Sequence, residues 1–239
     1  MTVLFDIQGG VATITLDRPG SRNALNLAMC KELRAAAQAA GAGSSVKLVL
    51  VRANGPVFCA GADLKEREGM DEAQVRERRM KAFAAYAAIE ALPMPAIAVL
   101  EGPAVGSGCE IACACDFIVA TPAASFRVPE AIRGTVGATQ RLPRILGKRL
   151  AKDLLFTGRT LSAQEAERHG LVSRVVAPEK LGAVIAEIAR AIVEAPAPSL
   201  RLAKRCVERG VELDPQGALE TEIAAIEEQL ASGDWMGKR

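Results

Sequence analysis

The chain has 239 residues, half of them hydrophobic, with 30 basic and 28 acidic side chains for a net charge of +2. This length supports one substantial core. The even charge, the absence of any run of five like charges and a stock of one Trp, one Tyr and six Phe argue against a nucleic-acid surface. Glu101, Glu110 and Asp116 break the apolar middle before it can span a bilayer. The N-terminus has no basic n-region and carries Asp6 early, so it does not read as a secretory signal. Six cysteines without a signal read as reduced thiols, and the expectation is a cytoplasmic protein that engages neither membrane nor nucleic acid.

In chain order, residues 3–8 and 11–16 predict a hairpin turned by Gly9-Gly10. Residues 26–40 predict a helix ending near Gly41, and 46–52 a short buried strand. A helix opens at Asp71 and runs to Leu92, where Pro93 and Pro95 stop it. Strands follow at 96–100 and 117–120, with a glycine-led helix from the 102–108 segment to about Ala114 between them. Strand and helix thus alternate over 46–120, the pattern of parallel crossovers. Beyond residue 138, helices are predicted over 138–156, 162–169, 178–195, 197–211 and 214–231, with one short strand at 171–176. The division read from this pattern is an α/β core over 1–190 and a helical region over 191–239.

Few residues carry chemistry. His169, the single histidine, precedes Gly170 at a predicted helix end and reads as a capping residue rather than a catalytic base. Cys109, Cys113 and Cys115 lack a second paired motif and read as buried thiols, so no metal site is expected. GPAVGSG lacks dinucleotide-loop spacing, and Gly147-Lys148 lacks the rest of a phosphate loop. Glu110 stands alone in an apolar, small-residue segment. It is either an acid/base group whose burial raises its pKa, or a carboxylate that caps its helix or pairs with an arginine. Glu130 follows Pro129 and taken alone suits a helix start, but two carboxylates beside one apolar site allow one acid and one base. The glycine-rich segments 58–64 and 102–110 offer backbone donors for an oxyanion hole.

Six segments in order, RPGSRNALN (18–26), FCAGADLKE (58–66), PAIAVLEGPAVGSGCEIACACDFIVA (95–120), FRVPEAIRG (126–134), TQRLPRILG (139–147) and LLFTGRTLSAQEAERHGLVSRVV (154–176), resemble the enoyl-CoA hydratase/isomerase (crotonase) superfamily. The resemblance runs from about residue 3 to 230. It implies an α/β spiral of repeated ββα units with a helical C-terminal trimerisation region, and a homotrimer or a homohexamer of two trimers. It implies an acyl-CoA thioester substrate and no separate cofactor, since coenzyme A enters with the substrate. The thioester oxygen would be held by the N–H groups of Ala62 and Ser107, where the family usually has glycine at the second place. Arg22, Ala24, Ala60, Asp63 and Leu64 would cradle the CoA, with Arg22 a phosphate partner. Glu110 and Glu130 match the family's glutamate pair in motif and in their separation of twenty positions. The pair favours a 2-enoyl-CoA hydratase. An isomerase working through Glu130 alone, or a binding-only relative, are the alternatives.

Two departures bear on that expectation. GTVGATQRL (134–142) is about three residues shorter than the family pattern, which there includes a glycine that positions the catalytic water. Gly137 is the residue available to replace it. The C-terminus stops at DWMGKR, so the expected lid over the CoA is either incomplete or supplied by Trp235. Met70, Ala73 and Val75 point to a mainly apolar acyl end.

Overall fold

The computed structural model describes residues 1–233, so Trp235 lies outside the described residues. Strands β1 (Val3–Gln8) and β2 (Val11–Leu16) form the predicted hairpin. Gly9 and Gly10 both have positive φ, 55° and 85°, as a tight two-residue turn requires. Helix α1 (Leu27–Ala42) is capped by the Asn26 side chain on the Met29 N–H and runs through Gly41. It ends at Gly43, and the turn that follows delays β3 (Leu48–Ala53) by two residues from its expected start. A one-turn helix, α2 (Leu64–Arg67), precedes α3 (Glu72–Glu90). Asp71 caps α3 in a reciprocal box with Gln74.

The centre of the chain comprises β4 (Ala96–Leu100), β5 (Ala104–Val105), α4 (Ser107–Cys113), β6 (Phe117–Ala120) and β7 (Ser125–Arg127). Then come α5 (Arg141–Thr157), β8 (Thr160–Ser162), α6 (Ala163–Arg168) and β9 (Arg174–Val175). The expected single helix over 138–156 starts three residues late and is broken at Gly147, whose φ of 73° and ψ of 158° are not helical. Helices α7 (Pro178–Glu194), α8 (Ala197–Gly210) and α9 (Pro215–Ser232) complete the described chain.

A six-stranded sheet runs β1-β2-β3-β4-β6-β9, parallel except for the β1–β2 hairpin. A smaller sheet, β5-β7-β8, collects the second strand of successive turns of chain. Isolated parallel bridges at Leu25–Ala62 and Cys59–Ala104 extend that stacking to the turns before it. The chain therefore climbs as a spiral, with one strand of each turn in the large sheet and a short segment of each in a second column. Crossovers bury both faces of the central strands, which is why β4 is buried at all five positions. One face packs on α1, α3 and α4 through residues such as Leu33, Tyr86, Ile89 and Ile111. The other face, with Leu50, Ile97 and Val119, is covered by Leu181 and Ile188 of α7. No described helix is long and apolar enough to cross a membrane.

Candidate active site

The second column of the spiral positions the site. The bridge between Cys59 and Ala104 sets segment 59–62 beside β5 and the start of α4. Gly61, at φ 96°, lets the chain turn there, and a Cβ on it would lie 3.0 Å from the Val105 carbonyl oxygen and 4.0 Å from the Ser107 nitrogen. Ser107 opens α4, so its N–H has no acceptor within its own helix. Among the described residues, neither the Ala62 nor the Ser107 amide donates to any acceptor. Both residues line one pocket of about 410 Å³, together with Ala60, Leu64, Glu110, Glu130 and Gly137. The Ser107 hydroxyl faces the buried Tyr86 phenol, which burial holds well above its ordinary pKa.

The two glutamates share this pocket in unequal surroundings. Glu110, on the first turn of α4, is 8% exposed, and its Oε2 accepts from Arg141 Nη1 at 2.9 Å. The arginine contact that the sequence left open is present, and Glu110 lines the pocket as well. Arg141 also donates to Glu90 at 2.6 and 3.2 Å and lies over the Tyr86 ring, 5.9 Å from its centroid. Glu110 is thus an ion-paired carboxylate at the pocket wall.

Glu130 has no such partner. It precedes a 3₁₀ turn, Ala131–Arg133, but its side chain makes no capping bond and enters the pocket instead. A Cβ on Gly106 would sit 2.5 Å from Glu130 Oε1, and one on Gly137 would sit 2.9 Å from its Cγ. Glycine at both places is what makes room for the carboxyl. Its Oε2 is buried with no hydrogen-bond partner. Burial raises its pKa above the ordinary carboxylate range, and the neighbouring Glu110 adds to the rise.

A carboxyl raised in the folded state binds its proton more tightly there than in the unfolded chain. The stability it contributes is complete below its unfolded pKa and is lost as pH rises through the raised native value. Glu130→Gln should therefore gain in melting temperature over the parent protein as pH rises from about 4 to 8. Thermal melts across that range check this; a gap that does not change with pH contradicts it.

The other singled-out residues lie as follows. Asp63 caps α2 and pairs with Arg18 at 3.0 Å, and with Arg22 and Ala24 it stands outside the pocket lining. Arg22 is exposed at φ 51°, and its carbonyl accepts the Ala60 N–H. Val75 lines the pocket, whereas Met70 and Ala73 do not. His169 is the C-terminal cap residue of α6. Cys109 donates to the Ala104 and Arg127 carbonyls and Cys115 to that of Ile111, while burial pushes the Cys113 thiol up to about 12. No three metal-ligating side chains converge among the described residues. Arg141 and Arg79 were not singled out from the sequence. Neither lies near its partner along the chain, so no local signal marks them.

Two unengaged amides in residues that line one pocket, beside one ion-paired and one unpartnered carboxyl, suit chemistry that holds a carbonyl oxygen and moves protons next to it. A family model described as enoyl-CoA hydratase/isomerase matches residues 6–235. The chain is 39% identical over 236 residues to a Rhizobium meliloti protein named "Probable enoyl-CoA hydratase", covering 98% of this chain and 91% of that one. It is 39% identical to the human enoyl-CoA hydratase domain-containing protein 2, mitochondrial, covering 94% and 80%. The crystal structure of a Bacillus anthracis enoyl-CoA hydratase superposes with a TM-score of 0.91 at 37% identity, over 95% of this chain and 90% of that one. This chain belongs to the enoyl-CoA hydratase/isomerase family and has the crotonase fold, with the helical C-terminal region the sequence predicted.

Proposed function

We propose that the protein is a 2-enoyl-CoA hydratase, adding water reversibly across the double bond conjugated to a thioester to give the 3-hydroxyacyl-CoA. The observation that carries this reading is the unequal pair, Glu110 paired with Arg141 and Glu130 with a buried, unpartnered oxygen and a raised pKa, beside two unengaged amides. Groups whose environments differ in this way take opposite roles. The Glu110 carboxylate accepts a proton from water as its oxygen bonds to Cβ. The electron pair moves onto the thioester oxygen, held by the Ala62 and Ser107 N–H groups. Glu130 then gives its proton to Cα. Each turnover leaves a proton on Glu110 and none on Glu130, and exchange with solvent resets both.

The CoA moiety lies along Arg22, Ala24, Ala60, Asp63 and Leu64 in this reading, with Arg22 meeting a phosphate, and no separate cofactor takes part. Apolar side chains exposed on α8 and α9, among them Val207, Leu219 and Ile226, support association into a trimer or a hexamer of two trimers, which sedimentation reads directly.

The test is turnover on short, medium, branched and aromatic 2-enoyl-CoA esters, followed as loss of the conjugated thioester and gain of the hydroxy product. Bound esters that no member of the panel turns over reject the reading. A second reading, a Δ3-Δ2-enoyl-CoA isomerase, has support in the same geometry: Glu130 has a buried oxygen without a partner, while Glu110 is engaged by Arg141. Conjugation appearing in a 3-enoyl-CoA without incorporation of solvent oxygen favours it.

A further inference from the structure

We infer that Arg79 is a positioning residue for Glu130: its guanidinium clasps the 134–138 loop to α3 and so holds that carboxyl in the pocket, an inference that rests on the proton-donor role proposed above. Arg79 Nη2 donates to Thr135 Oγ1 and, at 2.8 Å, to the Val136 carbonyl oxygen. The next residue, Gly137, lies against the Glu130 side chain, where a Cβ would stand 2.9 Å from Cγ. The guanidinium, the loop and the carboxyl therefore form one stack.

The loop needs such a tie. Among the described residues, the amides of Val136, Gly137 and Ala138 donate to no acceptor. Val136 is 70% exposed, and Ala138 sits at φ 53°, a left-handed backbone that strains any residue bearing a Cβ. What fastens the loop from within is the Thr135 N–H bonded to the Glu130 carbonyl at 2.9 Å. The two bonds from Arg79 fasten it from outside, and a charged donor makes each stronger than a neutral one.

The clasp and a bare positive charge predict opposite shifts, which makes the inference testable. Glu130 faces Glu110 and Cys109 from α4, Arg133 from its own turn and Arg79 from α3. If Arg79 acted only as a charge, its removal would raise the titration midpoint of Glu130. If it holds the loop, its removal admits water to the carboxyl, and the midpoint falls toward that of an ordinary glutamate.

The experiment follows the Glu130 carboxyl by 13C NMR titration in the parent protein, Arg79→Met, Arg79→Lys and Thr135→Val, and hydrogen exchange of the residue 135 amide in the parent and both Arg79 variants. The expected result for Arg79→Met is a lowered midpoint and exchange faster by at least about tenfold, the scale of losing one charge-assisted bond. Thr135→Val, which keeps every charge, should shift the midpoint the same way by less, and Arg79→Lys should recover part of both effects. On whichever enoyl-CoA the parent turns over, kcat falls about tenfold in Arg79→Met with KM nearly unchanged. A raised midpoint or unchanged exchange in Arg79→Met overturns the clasp. If that variant does not fold, an unshifted midpoint in Thr135→Val overturns it instead. Titration and exchange need no turnover, so a parent protein without hydratase or isomerase activity refutes the function and still leaves the clasp decided by these two readings.

Discussion

Replacing Glu130 with glutamine should lower kcat by a factor on the order of 10² to 10⁴ while leaving KM for the CoA ester within a few-fold, the range seen when one positioned proton-transfer group is lost. The amide is nearly isosteric, so the glycines at 106 and 137 still accommodate it. What disappears is the titratable carboxyl, whose pKa burial raises. Glu110→Gln separates the two chemistries. In a hydratase it removes the base that activates water, and hydration falls as steeply. In an isomerase that works through Glu130, double-bond migration survives it. Glutamine at 110 also leaves Arg141 with Glu90 as its one carboxylate, so thermal stability is measured beside the rates. Steady-state kinetics on a 2-enoyl and a 3-enoyl ester, for both variants, give the four numbers needed. A Glu130→Gln protein with parental kcat on both esters would remove Glu130 from the chemistry.

Gly108→Ala should cost about 10² or more in kcat together with about 1–3 kcal/mol of stability. Gly108 is the second residue of α4. A Cβ there would lie 2.5 Å from the Cys59 carbonyl oxygen and 2.9 Å from the Cys59 Cβ. Backbone rather than a flexible side-chain tip blocks it, so α4 and segment 59–62 must move apart. Those two pieces of backbone hold the Ser107 and Ala62 amides. In the proposed function these two donors converge on one oxygen, so separating them by even a fraction of an ångström spoils the pair. Gly182→Ala is the control, because Gly182 lies in α7 with nothing within 4 Å of a Cβ. It should raise stability by about 0.5–1 kcal/mol and leave kcat alone. Paired thermal melts and rates for the two variants decide the matter; parental kcat in Gly108→Ala would mean that the amides are not held by this contact.

Much of the large sheet was legible because its elements follow local rules. The strands over 96–100 and 117–120 agree residue for residue with β4 and β6, being apolar runs bounded by proline, glycine and charge. Asp71 marked the start of α3, and the Gly9-Gly10 turn set the register of the first hairpin. The small sheet was not legible. Its members are two or three residues long, too short to carry a period, and β5 lay within what reads as a glycine-rich interruption. The kink at Gly147 was missed because the flanking residues on both sides are good helix formers.

The same division holds at the site. Local pattern singled out Glu110, as a carboxylate in an apolar segment, and the glycine-rich segments 58–64 and 102–110, whereas the family resemblance supplied Ala62, Ser107 and the pairing of Glu110 with Glu130. Which carboxylate is paired and which is left without a partner was decided only in three dimensions. Arg141 reaches Glu110 from 31 residues away, and Arg79 reaches the loop over Glu130 from 56 residues away. Desolvation, ion pairing and the closeness of a glycine to a side chain depend on what the fold brings near, and no local pattern encodes those distances. The sequence by itself determined most strands of the large sheet, the first hairpin turn, several helix starts and the residue types available for chemistry, because these follow from backbone propensity and hydrophobic period. The tertiary structure alone decided the electrostatic inequality of the two glutamates and the clasp that holds one of them, because both arise from contacts between turns of the spiral that lie far apart along the chain.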